Sequence, residues 1–180
     1  MRVDAHAIDL LELPAIRERL AGMAAFEGGA ALARALQPSP DPREVAGLRE
    51  ITREAGVLWE AGLSGPGGAH DVRPDVADAR RGAPLEIAAF ERIRATAEVA
   101  GEMRAAVMEH AEAAPLIADV ADMVDERAMD KVATRLGAAL DGRGGIRDDA
   151  SPGLARARRD VAELRRQAQE ALREVAAAVK

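Results

Sequence analysis

Three histidines, His6, His70 and His110, are the chain's best potential metal ligands, and each stands apart from the others. None has a second histidine or a Glu-x-x-His partner at ligand spacing. Glu109 and Glu112 flank His110, but residues one and two apart on a helix do not face one another, so no shared site forms there. Asp141 opens a short acidic, glycine-rich stretch with Asp148 and Asp149 further on. A calcium loop starting at Asp141 would need oxygen ligands at its third and fifth positions, where Arg143 and Gly145 stand, so that chemistry is excluded. The glycine-rich runs Gly62–Gly68 and Gly142–Gly145 lack the Gly-Lys-Ser/Thr element of a phosphate loop, and both read as connections. Ser39, Ser64 and Ser151 lie beside proline or glycine, outside any Gly-x-Ser-x-Gly setting, and read as turn or cap residues.

Basic residues leave one further possibility. Arg80 and Arg81 form a short pair, whereas Arg156, Arg158, Arg159, Arg165 and Arg166 are interleaved with Asp160, Glu163, Glu170 and Glu174. That alternation suits a salt-bridged, solvated helix face. Its functional counterpart is a basic patch leading towards a nucleic-acid site further along the chain. The net charge of −6, from 31 acids and 25 bases, makes the chain a poor unaided binder of phosphates. With no cysteine there is no thiolate metal site, disulfide or cysteine nucleophile, which suits a reducing compartment. The expected tally is no catalytic, cofactor-binding or metal-binding residue.

The elements that position these residues read as helices throughout. Hydrophobic residues make up 48% of the sequence and aromatics only 2%, so alanine, leucine, valine and isoleucine must fill the core. Small side chains favour closely packed helices, and β-branched runs are rare. The fold class is therefore all-α. Between Ala5 and Ala25, Ile8, Leu11, Ile16 and Leu20 recur at helical intervals, and Pro14 divides the run into a short helix and a second one. Gly28-Gly29 reads as a breaker before a brief helix ending near Leu36. Pro38-Ser39-Pro40 is a turn, after which Asp41 caps, Pro42 opens and Glu44 completes a box-like helix start.

Val45, Leu48, Ile51, Ala55 and Leu58 form one apolar stripe, which Gly62 ends. A short helix is expected around Pro74–Arg81 and a long one from Pro84 to about His110, with Phe90, Ile93, Ala97, Ala100, Met103 and Val107 facing the core. Two more cover Pro115–Met123 and Glu126–Ala139, and Asp141–Ser151 reads as a turn or short hairpin. From Pro152, capped by Ser151, the sequence is at its most regular. Leu154, Ala157, Val161, Leu164, Ala168, Ala171, Val175 and Ala178 alternate spacings of three and four, a heptad seam. The helix reaches Lys180 without a stop signal, so the natural polypeptide is expected to continue. Neither a signal peptide nor a run near the roughly 20 apolar residues of a membrane span is present. The expected location is cytoplasmic.

Three blocks carry a resemblance. The first is Leu11-Glu12-Leu13 with Ile16, then Leu36-Gln37-Pro38-Ser39-Pro40-Asp41 and Thr52-Arg53-Glu54-Ala55. The second is Asp71-Val72-Arg73-Pro74 with Ala79, Gly82 and Leu85. The third is Asp141, Gly144, Ile146 and Asp148, followed by Ala150-Ser151-Pro152-Gly153-Leu154. In this order and separation they resemble the N-terminal region of the bacterial MutS type two family, the recombination-suppressing relatives of MutS mismatch-repair proteins. The third block departs from the family's acidic pattern at Gly142, Arg143 and Gly145.

The resemblance implies a helical core region over residues 1–150 and, over 151–180, the start of a lever-like long helix. It implies a non-catalytic segment whose full-length parent is an ATPase and endonuclease acting in DNA mismatch repair or recombination suppression. ATP and magnesium, a DNA- or ribosome-binding clamp and most of a homodimer interface would then belong to other parts of the polypeptide. No catalytic residue of the family can be placed on this chain. The competing expectation is a stand-alone helical interaction module that dimerises through its C-terminal heptads.

Overall fold

The computed structural model describes residues 10–178, with backbone alone at 174 and 176–178. The helix expected from Ala5 falls largely outside them. Helix α1 spans Leu13–Ala21, α2 Glu27–Ala35, α3 Pro42–Glu60, α4 Arg73–Arg80, α5 Ile87–Met108, α6 Pro115–Asp122, α7 Glu126–Ala139 and α8 Pro152–Ala178. The fold is all-α, and its one extended pairing among the described residues is an isolated antiparallel bridge between Leu140 and Ile146. No described helix is long and apolar enough to cross a membrane. The chain divides into two compact units, one up to Thr134 and one from Arg135, with the division inside α7.

In the first unit α1 packs on α2, while α6 packs on both α3 and α5. Leu58, Val107, Ala114 and Ala118 form the buried cluster, with Leu63, Ala111, Ile117 and Ala121 packed around it. Alanine at four of these eight positions, Ala111, Ala114, Ala118 and Ala121, lets the helix backbones approach closely. The expected stripe of α3 is only partly used: Leu58 is buried, whereas Val45, Leu48 and Ile51 remain exposed. Helix α5 is enclosed more fully than one stripe predicts. Every residue from Phe90 to Gly101 is at least partly buried, so neighbours cover it on several sides.

Two helix ends share one device. Gly62 has φ +92° and Gly82 φ +75°. Beyond α3, Gly62 N–H donates to the Trp59 carbonyl and Leu63 N–H to that of Leu58, at 3.0 and 2.9 Å. Beyond α4, Gly82 N–H donates to Ala79 and Ala83 N–H to Asp78, both at 3.0 Å. These are Schellman closures, which need a left-handed residue directly after the cap. The second explains why α5 opens at Ile87 rather than at Pro84. Ala83 is committed to closing α4, and Pro84 holds it out of the helical region.

Two other expectations are corrected. Gly28 and Gly29 do not break a helix but lie in the first turn of α2. The Phe26 ring covers them: a Cβ on Gly28 would meet its Cε2 at 2.5 Å, so the absent side chain makes room for the aromatic ring. At the start of α3, Asp41 Oδ1 accepts the Arg43 N–H at 2.9 Å, as a cap should. Glu44, however, does not reach back to the Asp41 N–H. Ser39 Oγ accepts that N–H at 3.1 Å and donates its own proton to Glu44.

In the second unit the expected hairpin is present. Asp141 N–H donates to Gly145 O at 3.0 Å and Arg147 N–H to Ala139 O at 2.9 Å. Helix α8 follows, with Ser151 Oγ accepting the Leu154 N–H at 3.1 Å. Its 27 residues make a rod about 40 Å long.

Candidate interaction surface

The histidines are placed apart. His6 lies outside the described residues. His70 is anchored through its backbone, its N–H donating to Thr96 Oγ1 at 3.0 Å. His110 follows the end of α5, where its carbonyl accepts from Ala113 and Ala114 at 2.9 and 3.0 Å. Among the described residues no group of three histidines or carboxylates could hold a metal ion. Ser39 and Ser151 are occupied at helix starts, and Ser64 lies in the loop after α3.

Asp141 organises the hairpin rather than a cation. Its Oδ1 accepts the N–H groups of Arg143 and Gly145 at 2.8 and 2.9 Å. Those two donors, Arg143 first, hold its carboxyl below the usual aspartate range. Gly142 and Gly144 supply the positive φ values, +69° and +80°, that fold the loop around it.

Glu54 is the buried charged residue that periodicity reasoning passed over, although it lies on the apolar face of α3 between Ile51 and Leu58. It is fully buried. Its Oε2 accepts the Ile117 N–H at 2.9 Å. Ile117 is the third residue of α6, and Ala114, the residue before that helix, offers no side-chain cap. Glu54 therefore caps α6 from a helix 63 positions away in the chain. Its Oε1 has no partner among the described residues.

Two of the open surfaces are apolar. In the first unit Met23, Phe26, Trp59, Leu63, Met103 and Ile117 help to line a cleft of about 440 Å³. Met23 is 78% exposed and Trp59 70% exposed, large values for side chains of this kind. None of the lining residues is ionisable, so the cleft can hold an apolar group but has nothing with which to transform it. The second surface is α8, where Val161, Leu164 and Val175 of the expected seam are all exposed.

Charges on α8 are sorted by face. Arg166 bridges Glu163 at 2.6 Å and Glu170 at 2.7 Å, the pairs expected of a solvated flank. Arg158 pairs with Asp148 of the hairpin. Among the described residues Arg156, Arg159 and Arg165 form no ion pair. Of the five, Arg158 and Arg165 line one groove together with Ala157, Val161 and Ala162.

The chain is 31% identical over 171 residues to an endonuclease MutS2 of Symbiobacterium thermophilum, a match covering 94% of this chain. It is 34% identical over 173 residues to an endonuclease MutS2 of Thermomicrobium roseum, covering 93%. The resemblance is to MutS2. It extends through both compact units, hairpin and α8 included. This MutS2-like chain spans only 21% and 22% of the length of those two relatives. No protein-family model matches it.

Proposed function

We propose that this chain is the N-terminal, non-catalytic core-and-lever segment of a MutS2-type DNA-maintenance protein. Residues up to about 150 form the core region, and α8 is the root of the lever. The carrying observation is the disproportion in the match: nearly all of this chain aligns, with about a fifth of each relative. The geometry supports the same division. Glu54, Asp141 and Ser151 are occupied in caps and a turn, and the cleft beside Trp59 is apolar.

In this reading ATP and magnesium bind to other parts of the polypeptide. Those parts also supply the nuclease, the DNA- or ribosome-binding clamp and most of the homodimer interface, in the cytoplasm. A packed helical unit ending in a long rod suits mechanical coupling, because packed interfaces hold discrete arrangements and pass on a displacement.

A chimera tests the proposal. The matching segment of the Symbiobacterium thermophilum relative is replaced by this chain, and ATPase and nuclease rates are compared with those of the parent. The chimera is expected to keep both activities, while the 180-residue chain alone turns over neither ATP nor DNA. Turnover by the chain alone, or a folded chimera without activity, overturns the reading.

A further inference from the structure

Helix α6 is short, yet side chains from its two neighbours hold it at both ends. Glu54 of α3 accepts the Ile117 N–H in its first turn at 2.9 Å. At the other end Arg104 of α5 donates from Nη2 to Asp122, the last residue of α6, at 3.0 Å. The same guanidinium donates from Nη1 to Glu126, the first residue of α7, at 3.0 Å. We propose that α6 is a clasped element that docks and releases as one unit, both clasps opening together. This concerns the first unit alone and does not rest on the core-and-lever reading.

Three observations carry it. First, little else ties α6 down. It has eight residues, too few to persist as a helix without packing. Ile117, Ala118 and Ala121 are its residues in the buried cluster, and an alanine methyl contributes far less on burial than a leucine or valine side chain. Second, the helix lacks terminal devices of its own. Ala114 offers no side-chain cap, and no basic residue stands in the last turn. Asp122 stands there instead, the wrong sign for the negative end of a helix dipole, and Arg104 offsets it.

Third, docking leaves a cost at each clasp. Glu54 Oε1 and Arg104 Nε are both buried without a partner among the described residues. Release hydrates both atoms, so the open state recovers part of what the broken contacts forfeit. Because Glu126 shares the guanidinium of Arg104, release also frees the first turn of α7, the helix inside which the two units divide.

Hydrogen exchange on the whole 180-residue chain reads the release. A unit that opens as one exchanges faster at all its amides by a common factor, whichever contact is removed. Fraying stays at the end that lost its contact. Arg104→Met removes the clasp at Asp122, and is expected to speed exchange at Ala118 in the first half of α6 as much as at Asp122. The expected factor is roughly threefold to thirtyfold. Glu54→Ala, at the opposite end, is expected to reach Asp122 in the same way. In the double variant the two factors should multiply, since one opening breaks both contacts. Amides of α4, tied separately to α5 through Asp75 and Arg92, should keep their wild-type rates.

Glu126→Gln provides a milder variant, altered at an exposed position of α7. It is expected to shift Ala118 and Asp122 alike by a smaller factor, and it decides the matter if circular dichroism shows that Arg104→Met or the double variant is unfolded. A rise confined to the altered end, factors that do not multiply, or acceleration spread equally into α4 overturns the proposal.

Discussion

Glu54 has two properties that pull in opposite directions: full burial, and a carboxyl group whose second oxygen finds no partner among the described residues. The contact that offsets this cost is the Ile117 N–H at the start of α6. Glu54→Ala should therefore destabilise the first unit by about 1–3 kcal/mol, the range for leaving a buried donor unsatisfied. Glu54→Gln keeps an acceptor in place and should cost less. Urea unfolding measures the difference, and hydrogen exchange at the Ile117 amide locates it. Asp141 makes a prediction of the opposite kind, in pH rather than in cavity terms. Its carboxyl is held low by the Arg143 and Gly145 N–H groups, so its contribution is complete above the ordinary aspartate value of about 3.9. It is lost as pH falls through the lower folded value. The amide shift of Gly145 should follow that titration, and Asp141→Asn should abolish the acid-side change.

At the scale of elements, an ion pair ties α4 to α5. Helix α4 has no buried residue of its own, yet Asp75 meets Arg92 of α5 through two contacts, at 2.7 and 3.0 Å. Arg92→Lys retains the charge but loses the fork, and should raise exchange at α4 amides while leaving α5 protected. Gly62 offers a sharper test of a terminus. Its φ of +92° makes Gly62→Ala cost about 1–2 kcal/mol of thermal stability, with Gly62→Asn costing less. Such joints were only partly legible in the sequence. Ser151-Pro152 announced α8, and Gly62 announced the end of α3, because caps and stops are local chemistry. Gly28-Gly29 misled because the ring of Phe26, not the glycine backbone alone, decides their conformation. Glu54 was legible only as a charged residue on an apolar face, since its partner comes from a distant helix. Several residues that carry the family resemblance, Glu54, Gly82, Asp141 and Gly144 among them, turn out to form such joints.

For the whole molecule, the question is where affinity for nucleic acid would reside. Non-specific binding to a duplex is driven by cations that displace counterions, and it weakens steeply with salt. This chain has a net charge of −6. Arg166 and Arg158 are already paired with carboxylates, and Arg156, Arg159 and Arg165 stand among Asp160 and Glu163 along α8. The long-range field and the pairing of Arg158 and Arg166 act against phosphate, while Arg156, Arg159 and Arg165 form no ion pair among the described residues. Fluorescence anisotropy with a labelled duplex should show weak binding at low salt and none at about 0.15 M, where the Debye length is about 8 Å. Tight binding that survives physiological salt would mean that the chain contacts DNA itself, contrary to the division between a helical core and a distant clamp. A weak, salt-quenched signal, with affinity restored in the chimera, would place recognition in the part of a MutS2-type protein that lies outside these 180 residues.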